Sequence, residues 1–258
     1  MKRRMGVAIG VVAIALAMLI SPAAFSQMGD KQPILYTYVS QFQVPRADWS
    51  KFAEGEEKSF VAVADKAVAD GTIQSYSTFE NIVHTPDGYT HGAAWTSNSV
   101  AGLLKVLDEL RKGGPQAGQI AATKHEDYLM QTSTYVMGSG GEPKYLRVVC
   151  QNGKADKPAE LNAAIKKYIW PMAEEAAKSG VVTYVGLDSQ YVNTAAASER
   201  CLVIVLPNAE SIDKWAAMVN ANFAKMNGGQ QAEFYGAQQP DSRRDMMARI
   251  THAGGAKK

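Results

Sequence analysis

The chain carries an internal repeat, and this repeat limits the possible folds more than any other feature of the sequence. The segments QSYSTFE (74–80) and VTYVGLD (182–188) each contain an aromatic residue, a large apolar residue and an acid in the same order. A repeated pattern of this length is expected to mark two copies of one structural unit. The matching pairs are Tyr76 with Tyr184, Phe79 with Leu187, and Glu80 with Asp188.

Each repeated segment follows an amphipathic stretch of helical length. The predicted helices span Arg46–Ala69 and Pro158–Lys178, and each is followed by a glycine, Gly71 or Gly180, of the kind that ends helices. Pro171 lies inside the second helix and predicts a kink, because proline lacks a backbone N–H and its ring clashes with the preceding turn. The two units therefore agree in the element before the repeated segment as well.

The elements after the repeated segments also agree. In both units a strand leads into a second helix, whose start carries short polar residues suited to cap backbone N–H groups, Asn98 with Ser99 and Asn208 with Ser211. One further strand opens each unit and another closes it. The order strand, helix, strand, strand, helix, strand is that of the ferredoxin-like or split βαβ unit.

The predicted fold class is therefore α+β, with two tandem ferredoxin-like βαββαβ repeats whose antiparallel sheets pack face to face as an intramolecular α+β barrel. Helices would cover one face of each sheet, and the opposite faces would cover each other. The predicted boundaries are a signal peptide at 1–26, a first repeat at 33–137, a linker at 138–143, a second repeat at 144–252 and a flexible tail at 253–258.

With this element order, the chain resembles the dimeric α+β barrel superfamily, which includes antibiotic-biosynthesis-monooxygenase-like, EthD-like, NIPSNAP-like and chlorite-dismutase-like proteins. The resemblance rests on element order and repeat symmetry over nearly all of the chain after residue 26. It implies two sheets packed face to face, with space for a ligand inside or beside the barrel. It carries over no catalytic residue.

The hairpin around the turn Thr85–Gly88 brings polar and aromatic residues onto one predicted surface. With a four-residue loop, His84 would lie opposite Tyr89, and alternation along the strands would then fix which side chains share a face. This face is predicted to point into the space between the sheets, and the other face, with Phe79, Val83, Gly92 and Ala94, would pack against helices. The first face holds Tyr76, Thr78, Glu80, Ile82, His84, Tyr89, His91, Ala93 and Trp95.

Six residues are the predicted ligand-binding set, drawn from this surface and from the second repeat. A buried Glu80 beside aromatic side chains would have a raised pKa and would suit a proton acceptor. The alternative is an ordinary strand pair, with His84 and Tyr89 in water and His91 and Trp95 in polar packing. The set is Tyr76, Glu80, His91, Trp95, Tyr184 and Asp188; the catalytic residues stay unknown.

No cofactor is predicted from the residues themselves. Glu80, His84 and His91 are the residue types of a two-histidine, one-carboxylate iron site, but their spacing across the hairpin does not favour one, and no metal site is predicted. A haem with His84 or His91 as axial ligand is the alternative that the resemblance implies. The sequence lacks a glycine-rich phosphate loop, a G-x-S-x-G elbow and an H-E-x-x-H motif.

The first 26 residues have the pattern of an export signal: a basic start, an apolar run from Val7 to Ile20, and a small-x-small site at Ala24–Ser26. The alternative is a retained signal anchor. The leader holds three of the 27 basic residues and none of the 25 acidic ones, so its removal leaves a net charge of −1. We therefore expect a periplasmic or secreted protein, with no nucleic-acid partner and no membrane association after cleavage.

The two cysteines, Cys150 and Cys201, predict a disulfide. They lie on the first and third strands of the second repeat, which are antiparallel neighbours in a ferredoxin-like unit, and export would favour oxidation. The alternative is a pair of buried thiols. Closing a loop of about 50 residues would stabilise the fold by roughly 4 kcal/mol in the chain-entropy model.

The predicted function is binding of a small, partly apolar molecule between or beside the two sheets, with cofactor-free catalysis as an open extension. Two alternatives stay open: a non-enzymatic envelope interaction module without a ligand, and a haem-binding or oxygenase-like enzyme. A small molecule is the expected partner, and the protein is expected to be a monomer or a weak homodimer.

Overall fold

The computed structural model describes residues 32–114, 117–194 and 196–255; the predicted signal peptide lies outside these residues. Each repeat contributes four strands and two helical regions in the predicted order. The strands of the first repeat are β1 (Leu35–Gln43), β2 (Ser75–Asn81), β3 (His91–Ser97) and β4 (Lys124–Met137), and those of the second are β5 (Tyr145–Asn152), β6 (Tyr184–Gln190), β7 (Glu199–Leu206) and β8 (Arg244–Gly255).

The helical regions match the predicted ones with local changes. In the first repeat the long helix divides into a 3-10 turn (Arg46–Asp48), α1 (Trp49–Glu56), a π-helical turn (Glu57–Val61) and α2 (Ala62–Ala69), followed after β3 by α3 (Val100–Lys112) and α4 (Ala117–Ile120). In the second repeat the helices are α5 (Pro158–Tyr168), α6 (Trp170–Lys178), α7 (Ala209–Lys225) and α8 (Gly228–Gly236). The break between α5 and α6 is the kink predicted at Pro171.

The eight strands close into one barrel in the order β1-β3-β2-β8-β5-β7-β6-β4. Within each repeat the strand order is that of a ferredoxin-like sheet, and the edge strands of the two sheets pair with each other as β2 with β8 and β4 with β6. The predicted tandem repeats and α+β barrel are thus confirmed. Closure removes the exposed sheet edges that two separate sheets would leave.

The predicted helix caps agree with the structure, but the predicted start of the C-terminal tail does not. Ser99 and Asn208 cap α3 and α7, because each side chain accepts a hydrogen bond from a backbone N–H in the first turn. The predicted tail, however, begins too early. Residues 253–255 belong to β8, where Gly255 pairs with Ser75, so the strand extends to the end of the described residues.

The two faces of the sheet are reversed relative to the sequence prediction. Tyr76, Ala93 and Trp95 pack against residues of the π-helical turn, α2 and α3, on the outside of the barrel. The cluster that contains Phe79 and Ala94 consists of strand residues alone, which places it in the barrel interior, here called the lumen. The predicted lining of the inter-sheet space is therefore wrong for the hairpin, and its small and apolar members face the lumen instead.

The two repeats correspond at a spacing of 109 residues, one more than the repeated segments suggest. Gly71 and Gly180 both have positive φ after a helix, the pair Ser75 and Thr96 corresponds to Tyr184 and Val205, and the caps Ser99 and Asn208 correspond as well. Tyr184 is thus equivalent to Ser75, and Asp188 to Phe79. Because side chains alternate along a strand, the one-residue difference puts Tyr76 outside the barrel and Tyr184 inside.

Candidate ligand site in the barrel lumen

The middle of the lumen has an apolar wall that retains access to solvent. On β7, Ile204 and Leu206 point toward the helices and are 0 % exposed, whereas Val203 and Val205, which point into the lumen, stay partly exposed. The two valines therefore keep accessible surface on the lumen side at a level of the strand where the helix side is fully packed. Further partly exposed residues of this wall are Val39, Ala94, Val148 and Met246, and the buried ones are Phe79, Leu146, Ala248 and Ile250.

A buried carboxyl group interrupts this apolar wall. Asp188 is 7 % exposed, and the hydroxyl of Thr132 donates a hydrogen bond of 2.6 Å to its Oδ1. Burial raises the pKa of Asp188 to about 7, because a carboxylate loses its hydration there, while the Thr132 hydrogen bond opposes the shift. Asp188 can therefore donate a hydrogen bond when protonated and accept a proton when ionised near neutral pH.

The ring of Tyr184 lies beside Asp188 and packs over Gly186, where a side chain would collide with it. A Cβ atom on Gly186 would come within 2.7 Å of the Tyr184 Cζ, so the ring occupies the space that a larger residue would fill. Tyr135 stacks against Tyr184 with ring centroids 6.2 Å apart. Burial, with the nearby Asp188, raises the pKa of Tyr184 well above its ordinary value, so the phenol stays protonated and can donate a hydrogen bond.

Polar residues close one end of the lumen. Gln190 donates a hydrogen bond of 2.9 Å to Glu199, and the guanidinium of Arg244 pairs with the other oxygen of that carboxylate. The hydroxyl of Tyr89 donates to Glu126. Burial favours a raised pKa for Glu126, but hydrogen bonds from Tyr89 and Tyr128 and the nearby cations lower it below its ordinary value.

A second polar cluster lies outside the barrel, between α1 and the sheet. Glu56 is 9 % exposed, and burial raises its pKa to about 8 against the opposing hydrogen bond from Thr78. The hydroxyl of Thr78 also lies 2.6 Å from that of Thr251 and 3.2 Å from Nδ1 of His252. At the 109-residue spacing, Glu56 and Thr78 correspond to the buried Ile165 and Leu187, so the fold does not require polar residues at these positions.

The structure divides the six predicted binding residues between the two layers. Tyr184 and Asp188 face the lumen. The hydroxyl of Tyr76 donates to Asp65 of α2, and Nε1 of Trp95 donates to the Leu103 carbonyl of α3. His91 packs against Phe52 of α1, and Glu80, which pairs with His91 across the hairpin, shares this outward face. Four of the six therefore lie outside the predicted inter-sheet space.

The hairpin register explains why the residues predicted to share one face do share one, although this face points toward the helices and not into the lumen. The predicted pairing of His84 with Tyr89 would have placed Glu80 opposite Ala93. In the structure Glu80 pairs with His91, two residues away, and a shift of two residues preserves the face. Sequence reasoning missed Glu56 and Thr132. The spacing of Gly71 and Gly180, which is 109, was the available signal for the correct alignment.

Comparison with solved structures gives the fold an independent basis. A structure described as a monooxygenase candidate from Lactobacillus acidophilus has a TM-score of 0.61 and 12 % identity, covering 87 % of this chain and 97 % of that one. An anthrone oxidase-like protein has a TM-score of 0.56 and 9 % identity, covering 89 % and 96 %. The chain has the dimeric α+β barrel fold. A mutant chlorite dismutase from Candidatus Nitrospira defluvii has a TM-score of 0.51 and 11 % identity, covering 84 % and 92 %.

No protein-family model and no curated protein matches the sequence. At these identities the structural likeness to other dimeric α+β barrels establishes the fold alone.

A haem, which some dimeric α+β barrel proteins bind, does not fit the predicted histidines. His91 is 4 % exposed and lies between the rings of Trp49 and Phe52, whose centroids are 5.1 Å and 4.8 Å from its own. Its Nδ1 also lies 2.9 Å from the hydroxyl of Thr90, so the buried imidazole is enclosed by protein contacts. Burial, with His84 nearby, lowers the pKa of His91 to about 4, so the imidazole is neutral near pH 7. His84 is exposed, with its ring 5.1 Å from that of Trp49.

Other candidate sites lack the buried titratable groups that the lumen has. Within the described ranges, no three His, Cys, Asp or Glu side chains are grouped so as to hold a metal ion. Surface cavities of about 360 Å³ and 380 Å³ lie at the start of α7 and between α5 and α8, and their linings contain no buried titratable residue. Among the described helices, none is long and apolar enough to cross a membrane.

Proposed function

We propose that this protein binds a small, partly apolar molecule inside the barrel lumen. The observation that carries the proposal is the accessible surface that Val203 and Val205 keep in the lumen, although their β7 neighbours Ile204 and Leu206, which face the helices, are fully buried. An apolar wall with accessible surface next to a few polar groups is the usual composition of a small-molecule site. Asp188, Thr132 and Tyr184 supply those polar groups.

The chemistry of these groups favours a ligand with one hydrogen-bonding end. Protonated Asp188 and the Tyr184 hydroxyl would donate to a carbonyl or phenolic oxygen, while the valine wall would contact an aromatic or alicyclic body. In its ionised form, Asp188 would accept a proton from an acidic O–H or C–H group of the ligand, which is the cofactor-free reaction we propose as an extension. The name of one structurally similar protein, an anthrone oxidase-like protein, agrees with a small aromatic ligand.

The proposal places the protein in the periplasm or outside the cell. The export signal predicted from the sequence supports this location, and the Cys150–Cys201 disulfide suits an oxidising compartment. A single chain closes the barrel, which supports a monomer.

A ligand-free envelope interaction module is the second candidate. It is favoured by the part of the lumen that Phe79, Leu146, Ala248 and Ile250 fill, since each of these is at most 9 % exposed. The two candidates differ in whether the remaining space accepts a molecule.

The test combines native mass spectrometry of protein from its own host with calorimetric titration of 1-naphthol, a small aromatic alcohol. We expect mass spectrometry to detect a bound small molecule, or calorimetry to detect binding of 1-naphthol. Val203→Phe should abolish this binding, because the larger side chain fills the lumen. Asp188→Asn should weaken binding about 5-fold to 150-fold, the equivalent of 1 to 3 kcal/mol for one buried hydrogen-bonding partner. Val83→Phe, on an exposed loop, is the matched control. Binding that Val203→Phe leaves unchanged, or no bound molecule by either method, would favour the interaction module.

A further inference from the structure

We propose that the Cys150–Cys201 disulfide is a thiol–disulfide exchange site for small thiols, with Cys150 as the attacked sulfur, Asp188 as the acid that protonates departing Cys201, and Arg244 beside Cys150. This role does not depend on the lumen ligand proposed above.

The side chains involved form one row across four neighbouring strands. Asp188 of β6 pairs with Cys201 of β7, Cys201 pairs with Cys150 of β5, and Cys150 pairs with Arg244 of β8. Cys201 and Cys150 are two residues from the lumen-facing Val203 and Val148, so the disulfide faces the lumen as well. Directly opposed residues on one face have Cβ atoms about 5 Å apart, so Asp188 and Arg244 flank the disulfide on opposite sides. The guanidinium of Arg244 itself pairs with Glu199, which is two residues from Cys201 on β7.

Exposure distinguishes the two sulfurs. Cys150 retains partial solvent exposure, whereas Cys201 is 4 % exposed. Because exchange requires a thiolate to reach a sulfur, the attack falls on Cys150 and the bond breaks toward Cys201.

The flanking charges match these roles. Arg244 keeps 60 % of its side chain exposed although it pairs with Glu199, and a nearby guanidinium stabilises a cysteine thiolate. Asp188 has a pKa of about 7 through burial, so it carries a proton for a departing thiolate over much of the neutral range. Among the described residues, the other titratable groups on the surrounding wall are Tyr89, Glu126, Tyr128, Tyr135, Tyr184 and Glu199.

The proposed reaction balances in two steps. A small thiolate attacks Sγ of Cys150, the disulfide bond breaks, and Cys201 leaves and takes the proton of Asp188. A second small thiolate attacks the outer sulfur of the mixed disulfide, which releases Cys150 as a thiolate beside Arg244. Two small thiols are oxidised to one disulfide, and the protein disulfide is reduced to two thiols by the same two electrons.

The first repeat shows that the barrel does not need a disulfide at this place. At the 109-residue spacing, Cys150 and Cys201 correspond to Gln41 and Gly92, which pair in the same way on β1 and β3. Asp188 corresponds to Phe79, an apolar residue. The acid and the disulfide therefore occur together in the second repeat only, although the first repeat forms the same strand pairs without either of them.

The experiment uses the full oxidised protein and reduced glutathione as the probe. Thiol formation is followed by quenching, alkylation and mass spectrometry between pH 6 and 9. We expect Asp188→Asn to slow reduction at pH 7 about tenfold or more, as expected for loss of a general acid, and to remove the rate change near that pH. Asp245→Asn removes an outward-facing carboxyl of β8 and should change neither the rate nor its pH profile.

Single-cysteine variants locate the attacked sulfur. With oxidised glutathione, Cys201→Ser should form a mixed disulfide at Cys150 at least tenfold faster than Cys150→Ser forms one at Cys201. Arg244→Gln should slow adduct formation in the Cys201→Ser background by lowering the thiolate fraction at Cys150. Adducts mainly on Cys201, a disulfide reduced only at the rate of global unfolding, or a pH profile that Asp188→Asn does not change in a folded variant would each overturn the proposal.

Discussion

At the residue scale, two of the buried carboxyl groups have a raised pKa. Asp188 lies in the lumen and Glu56 lies between α1 and the sheet, and burial is the main cause of the raised pKa of both. Neither group has an opposite charge to compensate for lost hydration; each has a threonine hydroxyl instead. Each is therefore kept protonated in the folded state over a pH range in which the unfolded chain would ionise it.

We predict that Glu56 makes stability fall as the pH rises. Its pKa is 4.5 when solvated and about 8 in the fold, so between these values the folded state holds more protons than the unfolded state. The resulting loss of unfolding free energy is on the order of 4 kcal/mol across that window. In urea denaturation between pH 5 and 8, the free energy of unfolding of Glu56→Gln should not show this fall with rising pH.

Glu57→Gln is the control for this prediction, because Glu57 is an exposed carboxyl on the next residue. Its pH dependence should match that of the wild type. An unchanged slope in Glu56→Gln would show that Glu56 ionises in the folded protein as it does in water.

Gly92 is predicted to be intolerant of even a methyl group. A Cβ atom there would collide with the Phe79 ring and lie 2.7 Å from the carbonyl oxygen of Ser40, which belongs to the backbone and cannot turn away. We expect Gly92→Ala to destabilise the protein by about 1 to 3 kcal/mol in chemical denaturation. Gly113→Ala should have little effect, because a Cβ atom at Gly113 would lie 3.5 Å from the carbonyl oxygen of Leu110, an ordinary contact distance. Equal losses in the two variants would point to a general cost of replacing glycine.

At the scale of elements, the two repeats use the same helices and strands for different chemistry. The outer layer of the first repeat holds Glu56, Thr78 and His91, whereas the second holds the apolar core around Ile165 and Leu187. The lumen shows the reverse, with Asp188 in the second repeat where the first has Phe79. The long helix is also interrupted in both repeats, by a π-helical turn at Glu57–Val61 and by the break before Pro171.

The disulfide between β5 and β7 is predicted to stabilise the second repeat. The cysteines are 51 residues apart, and closing a loop of that size lowers the entropy of the unfolded chain by roughly 4 kcal/mol of free energy. The double variant Cys150→Ala, Cys201→Ala should therefore melt at a lower temperature in calorimetry. Reduction of the wild type should lower its melting temperature similarly, and the double variant should not respond to reductant. Equal melting temperatures of oxidised and reduced protein would contradict this expectation.

At the scale of the whole molecule, pairing of edge strands makes one barrel from two repeats. β2 pairs with β8 and β4 pairs with β6, so each repeat supplies both edges that the other repeat needs. An open edge strand presents unpaired N–H and C=O groups that can form hydrogen bonds with another strand. The tandem arrangement places the second repeat on the same chain, where it closes the barrel at any protein concentration.

We predict that the first repeat alone, as the fragment 32–138, associates with itself. Its β2 and β4 edges would be open, and a second copy is the nearest substitute for the missing repeat. Light scattering coupled to size-exclusion chromatography should show dimers or larger species of the fragment, while the full chain is monomeric. A folded monomeric fragment would show that the edges are protected without the second repeat.

The sequence by itself determined the element order, the repeat, the helix caps, the kink at Pro171 and the pairing of Cys150 with Cys201. These features depend on local propensity or on strand order, which a repeated pattern shows directly. The direction of each strand face was decided only by the tertiary structure. Tyr76 and Tyr184 match in the sequence but lie on opposite sides of the barrel, since alternation has a period of two and a one-residue misalignment exchanges the faces. The raised pKa values of Glu56 and Asp188 follow from burial, which arises when helices and strands distant in the chain exclude water around them.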